Sequence, residues 1–297
     1  MTALGDLAEL VRAPAALSVP GDALAGAAVT ATLGPHTAGL SAASVCLYWA
    51  GMSANDWADR ALDAKERPER PIPSGRVTPG TALGIAVALT GAGLGLAGLA
   101  GGRRALAVAA ALAGTVWWYD CALKHTAAGP AAMAVCRGLD LLLGASPRPG
   151  PQTAGRWRAA APALTVAAHT YTVTALSRRE VAGGGPLLPA ATLAGTAAVA
   201  AVAAAASLRA RRTPATWRRL LTGGLVGWYA ATYGTAQLYA LSEPSASNMR
   251  AAVGAGITSL PALQGALIAR SGRPAVALAV AAAAPLGRRL ARWVSPT

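Results

Sequence analysis

Phenylalanine is absent from this 297-residue chain, only 13% of its residues are charged, and two of its 26 basic residues are lysines, Lys65 and Lys124. So few charges exclude a solvated surface of ordinary composition. A Pro/Ser-rich linker long enough to divide the chain is missing as well, and we read 1-297 as one domain. The three cysteines, Cys46, Cys121 and Cys136, show no C-x-x-C spacing and sit in or at the end of apolar runs. A disulfide framework and a zinc site are thereby excluded, and packing is the role expected of them. Acids are scarce too, at 12, and that scarcity makes their placement informative.

What the chain does have is apolar length. Hydrophobic residues make up 54% of it and the mean hydropathy is +0.42, modest because alanine and glycine stand where leucine and isoleucine might. Runs such as GTALGIAVALTGAGLGLAGLAGG and PLLPAATLAGTAAVAAVAAAASL approach the spanning length of about 20 residues. We place spans at 13-33, 38-58, 80-100, 104-122, 129-146, 158-178, 186-208, 216-241 and 247-269, with a further apolar stretch at 273-287. The expected fold is all-α, a multi-spanning transmembrane bundle of about nine helices, packed tightly through small side chains. The formal net charge of +14 falls mainly in the breaks between spans, so membrane flanks explain it and nucleic acid is not an expected partner. The start, MTALGDLAELVRAP, carries acids before its first base and reads as no cleavable signal peptide, its first span being a retained insertion signal. Counting Arg209, Arg211, Arg212, Arg218 and Arg219 against the loops on the other side leaves the basic residues nearly balanced, so orientation does not follow from charge.

Five of the 12 acids crowd into NDWADRALDAKERPERPIPSGR, residues 55–76. At about 100° per residue Asn55, Asp56, Asp59 and Asp63 fall at roughly 0°, 100°, 40° and 80° on a helix that no proline interrupts before Pro68. Three like charges on one arc at the hydrocarbon boundary require a cation, and oxygen-only donors favour magnesium. Lys65, Arg67, Arg70 and Arg76 follow in a loop stiffened by prolines 68, 71, 73 and 79, suited to closing over a diphosphate. Glu66 and Glu69 read as solvated partners of neighbouring arginines.

NDxxDxxxD followed by RPIPSG resembles the first aspartate-rich motif of the UbiA superfamily of intramembrane prenyltransferases. The resemblance implies a nine-helix bundle with a central cavity open to lipid, in which Mg2+ bound at Asn55, Asp56, Asp59 and Asp63 holds a prenyl diphosphate, with Asp56, Asp59 and Asp63 as the catalytic acids and Arg67 and Arg70 on the diphosphate. Ionisation gives an allylic cation that an acceptor captures. WWYDCALKHT also resembles the family, which assigns Tyr119 and Lys124 to the diphosphate; Asp120 is left as a partner for that lysine or an interface residue. The family's second acidic motif is missing from HTYTVTALSRREVAGG, where Tyr171, Thr174 and Arg178 stand in its place. One magnesium with Arg178 or Arg179 is the expected arrangement there. In the fifth span, CRGLDLLLG sets Arg137 and Asp140 three apart, as an ion pair or as a polar wall for the acceptor. His169 is an interior hydrogen-bonding residue or a substrate contact, and Asn248 and Arg250 invite the same caution.

The CRGLDLLLG and LSRREV segments together look like the EboC-like branch of the superfamily, which implies a small cyclitol as acceptor. The reading is a magnesium-dependent prenyltransferase integral to the cell inner membrane, in contact with lipid, its site loops cytoplasmic. A terpene cyclase of the same fold, an aromatic-acceptor prenyltransferase and a transporter or scaffold without catalysis are the alternatives.

Overall fold

The computed structural model describes residues 3–146, 155–208 and 216–294. Arg209, Arg211 and Arg212, which enter the charge count above, lie outside the described residues. Ten α-helices are found among those described: α1 (Ala3–Leu10), α2 (Pro20–Val29), α3 (Pro35–Glu66), α4 (Pro79–Trp118), α5 (Gly129–Gly144), α6 (Ala160–Ser177), α7 (Leu187–Leu208), α8 (Thr216–Ser242), α9 (Ala246–Ala269) and α10 (Pro274–Val294). The helix starts carry their usual chemistry. Pro35 and Pro79 occupy the first turn of α3 and α4, and the Thr78 and Ser245 hydroxyls accept from the backbone N–H groups of Thr81 and Asn248.

Two expected spans, 80-100 and 104-122, are the arms of α4. Gly102 adopts φ 71° and ψ −164° within it, a conformation that glycine reaches without a β-carbon penalty. Trp117 Nε1 donates to Thr90 Oγ1 at 3.1 Å. In a straight helix those residues would be about 40 Å apart, so Gly102 folds α4 back into an antiparallel hairpin. The expected first span, 13-33, is different. It opens with a 3-10 turn at Ala13–Ser18 and continues as the ten-residue α2, because Pro14 and Pro20 cannot supply the N–H groups of a continuous helix.

Each helix from α3 to α10 packs against the next, and α2 lies against α3, α5 and α9, which closes the ring. Small residues set its width. A β-carbon on Gly26 would overlap the carbonyl of Leu141, and one on Gly144 the carbonyl of Ala23, so α2 and α5 meet backbone to backbone. Helix α10 returns along α9, with Gly265 facing Ala277 and Ala281. Among the described residues three helices, Pro79–Leu123, Leu187–Ala205 and Ala246–Ala269, are long and apolar enough to cross a membrane by length and composition. Inside the ring lies a cavity of ≈ 520 Å³.

Candidate active site

Helix α3 is 32 residues long, about 48 Å, and runs past its expected span by two turns. Its last three turns carry the oxygen donors. They form two columns rather than one face. Asn55 and Asp59, four apart, look toward the end of α4, where Asn55 Nδ2 donates to Asp120 Oδ1 at 3.1 Å and Lys124 Nζ lies 2.7 Å from Asp59. Asp56 and Asp63, seven apart and both buried, look toward the N-terminal segment and the loop after α3. Asn55 and Arg12 line the cavity, and Asp56, Asp59 and Asp63 follow Asn55 on the same helix, outside that lining.

Each aspartate has a cation. Arg70 reaches back from its loop to Asp63 at 2.7 Å and Asp56 at 3.4 Å. Arg12 meets Asp56 at 3.1 Å, from a left-handed backbone at φ 51° that an L side chain adopts at a cost of about 1–2 kcal/mol. The loop bearing Arg70 is pinned from below, because Ile72 and Val77 are buried with Leu10 and Ala82 beneath Trp57. It is pinned from the side by Arg76, which bridges Asp6 at 2.6 Å and Glu9 at 2.8 Å. Those two carboxylates hold the Arg76 guanidinium above the usual arginine range. The loop arginines thus pair with Asp56, Asp63, Asp6 and Glu9, where the sequence suggested Glu66 and Glu69.

The end of α4 passes into a π-helical turn, Tyr119–Leu123, followed by Lys124. This places Tyr119 and Asp120 in the cavity wall and Lys124 over Asp59, with His125 Nε2 3.5 Å from the same carboxylate. The Lys124 ammonium is sealed from solvent and lacks a well-directed hydrogen-bond acceptor. Hard oxygen donors on one side and an incompletely satisfied ammonium on the other fit a magnesium-bound diphosphate, which brings its own oxygens and waters. They do not form an all-protein cage: among the described residues no three His, Cys, Asp or Glu side chains converge as a ready metal cluster.

Four expected residues sit otherwise than the sequence suggested. Arg137 does not pair with Asp140 three residues on; it reaches across to Asp22 of α2 at 3.1 Å, while Asp140 accepts a hydrogen bond from Ser44 of α3. Both face the cavity. Arg178 is exposed and its guanidinium donates to the Thr126 carbonyl, tying the end of α6 to the turn after α4, and the guanidinium groups found at the aspartates are those of Arg12 and Arg70. Tyr171 is 49% exposed and points out of the bundle, because its position on α6 falls opposite His169 and Val173. Arg67 ends α3, with its N–H bonded to the Asp63 carbonyl at 2.8 Å. His169 is buried, 3.1 Å from the Tyr229 hydroxyl and edge-on to Tyr229 and Tyr233, and also touches the cavity. Asn248 serves the start of α9, donating to the Glu243 carbonyl at 2.9 Å. The half-buried Glu180 carboxyl is raised by burial, against the pull of Arg250 and Arg67.

Arg12, Asp22 and Gln264 escaped the sequence reading. Gln264 of α9 donates to Asp22 Oδ1 at 2.8 Å and to the Ser18 carbonyl at 3.1 Å. The signal was present for Asp22, a carboxylate inside the apolar run VPGDALAGAAV, since ionisable groups at membrane depth mark partners or cavities. Nothing local betrays Arg12, whose partner is 44 residues away.

The fold and sequence have counterparts. Solved structures share the architecture across nearly the whole chain. A digeranylgeranylglyceryl phosphate synthase matches with a TM-score of 0.65 over 91% of this chain and 99% of that one, at 15% identity. A UbiA homolog from Archaeoglobus fulgidus bound to GPP and Mg2+ matches with a TM-score of 0.65 over 93% and 99%, at 13% identity. In sequence, digeranylgeranylglyceryl phosphate synthases are 39% identical over 118 residues in Ignicoccus hospitalis, covering 40% of this chain and 39% of that one, and 39% identical over 108 residues in Methanopyrus kandleri, covering 36% and 38%. The chain spans about two fifths of the length of these curated relatives. They are named for a glyceryl phosphate and not for the EboC-like branch that CRGLDLLLG and LSRREV suggested. The profile of the UbiA prenyltransferase family matches residues 19–245, three quarters of the sequence and the whole of α3 to α8, and the chain belongs to that family.

Proposed function

We propose that this protein transfers a prenyl group from a prenyl diphosphate, held with magnesium at the mouth of the cavity, to a hydroxyl of a small polyol. The observation that carries this reading is the pairing of three aspartates with Arg12, Arg70 and Lys124 beside the end of the cavity that Asn55, Tyr119 and Asp120 line. Similar folds bound to GPP and Mg2+ support it. Asn55, Asp56, Asp59 and Asp63 are the residues that would hold the metal, and magnesium supplies neutralisation of the charge that gathers on departing diphosphate. Arg70, Arg12 and Lys124 exchange carboxylate for phosphate oxygens when the diphosphate arrives. Tyr119 stands beside them in the wall. Leu112, Val116, Met133 and Ile257 exclude water from the allylic cation left behind. The acceptor hydroxyl attacks that carbon and releases its proton, so that an ether and pyrophosphate are the products.

For the acceptor we propose a phosphate-bearing polyol of the glyceryl phosphate kind that the relatives are named for. The exposed arginines around the mouth, Arg67 and Arg178, favour an anionic headgroup over a neutral one. A cyclitol without phosphate is the second reading and rests on CRGLDLLLG and LSRREV alone. Arg67, Arg70 and Arg178 lie on the side of the bundle that we propose faces the cytoplasm, where soluble diphosphates reach it.

Purified protein in liposomes, given prenyl diphosphate and magnesium, is tested with a glyceryl phosphate lipid, a cyclitol, an aromatic acid and no acceptor. Ether product with the glyceryl phosphate lipid is the expected result. Cyclised hydrocarbon without acceptor would establish the cyclase reading, and no pyrophosphate under any condition the transporter or scaffold.

A further inference from the structure

The acids of this chain are sorted to one end of the bundle. All 12 except Asp22 and Asp140, which are buried inside, lie on α1, on the second half of α3 and its loop, at the end of α4, or in the connections after α6 and α8. These segments meet around Asp59, since Arg76 ties α1 to the loop, Arg178 reaches the Thr126 carbonyl and Arg250 on α9 donates to the Glu180 carbonyl. From its start there, α9 carries the chain about 36 Å to the far end of the bundle at Ala269. At that far end arginines stand without acids: Arg103 and Arg104 at the α4 turn, Arg218 and Arg219 on α8, Arg270 and Arg273 around the turn from α9 to α10.

Four of these arginines come together. A β-carbon on Gly272, which sits at φ 81°, would overlap the Arg218 guanidinium, so the start of α8 and the turn between α9 and α10 meet there. The Arg218 Nε is sealed from solvent without a hydrogen-bond acceptor, and its Cζ lies 5.6 Å from the centroid of the Trp217 ring, a cation–π distance. Helix chemistry accounts for Arg270, because the C-terminal end of α9 favours a cation. It opposes the other three. Arg218 and Arg219 stand in the first turn of α8 and Arg273 just before α10, where the helix dipole favours an anion, and neither helix has an acid in its first turn. Leu220 follows on α8 and Leu278 on α10, both exposed.

We propose that the start of α8 and the turn between α9 and α10 bind the headgroup of an anionic phospholipid in the leaflet farther from Asp59, with Arg218 at the centre and Arg270 and Arg273 beside it. Phosphate oxygens supply the acceptors that the guanidinium groups lack, and their charge offsets like charges held together at two helix starts. The exposed leucines beside the arginines decide for a lipid over a soluble anion, since an acyl chain covers them while the phosphate stays with the arginines. The bound lipid fastens α10 to α8 and α9.

The test titrates the full chain in detergent with phosphatidylglycerol and with phosphatidylcholine, counting bound lipid by native mass spectrometry and following the melting temperature. Phosphatidylglycerol is expected to bind at least tenfold more tightly than phosphatidylcholine and to raise the melting temperature. The double variant Arg218→Gln, Arg273→Gln is expected to lose at least fivefold in affinity for phosphatidylglycerol. Arg103→Gln, Arg104→Gln, on the same face but at the α4 turn, should change it less than twofold. The comparison of the two lipids on the native protein requires no variant to fold. Equal binding of both lipids, or an equal loss in both double variants, overturns the site. Displacement of phosphatidylglycerol by inorganic phosphate at matched concentration overturns the choice of a lipid as its occupant.

Discussion

The mouth of the cavity and the Arg137 cluster within it are both built from carboxylates and cations, yet they are balanced differently. At the mouth three aspartates meet Arg12, Arg70 and Lys124, which come from irregular backbone: the start of a 3-10 segment, the loop after α3 and the end of a π-helical turn. In the Arg137 cluster one arginine lies between two acids, on regular helices that touch backbone to backbone. Exchangeable partners suit a site that must take up and release a diphosphate. Fixed ones suit a wall.

Variants that break one member of each cluster sharpen this contrast. Asp22→Ala should have the largest effect on stability, since it strands the Arg137 guanidinium at membrane depth. A loss of about 3–5 kcal/mol is expected, seen as a lower melting temperature in detergent, and pairing it with Arg137→Met should recover part of it. Lys124→Ala should act on function more than fold. It removes a charged contact at the rim worth about 1.5–3 kcal/mol, and is expected to raise the KM for prenyl diphosphate about tenfold to a hundredfold with little change in melting temperature. Gly144→Ala is expected to cost about 1–3 kcal/mol by driving a methyl group into the Ala23 carbonyl, seen as a lower melting temperature. Tyr171→Phe should change neither activity nor stability beyond about 0.5 kcal/mol, because the residue faces away from the cavity. A marked loss there would mean that the α6 face is wrongly assigned.

Legibility in the sequence followed the range of the interactions. The spacing of Asn55, Asp56, Asp59 and Asp63 is a property of one helix and was readable, although whether they form one face or two columns depends on what stands opposite. The α4 hairpin was also readable, as two apolar runs parted by Gly101 and Gly102. Lys124 could be placed at the site by resemblance, and its partner Asp59 could not, because 65 residues separate them. The Arg137–Asp140 pairing failed for the same reason: a local partner three residues away is available on paper, but the ring of helices offers Asp22 at closer range, and Ser44 takes up Asp140. Arg12 was invisible because its role depends on a strained backbone angle and on the fold of the chain around Asp56.

Asp56, Asp59 and Asp63 with Arg12, Arg70 and Lys124 form the magnesium–diphosphate site that we propose. The most direct test is pyrophosphate release from farnesyl diphosphate by the native protein and by Asp59→Ala, with magnesium and with chelator. We expect release only from the native protein with magnesium, and a fall of about a hundredfold to a thousandfold in the variant. Release that ignores both the chelator and the loss of Asp59 would contradict it.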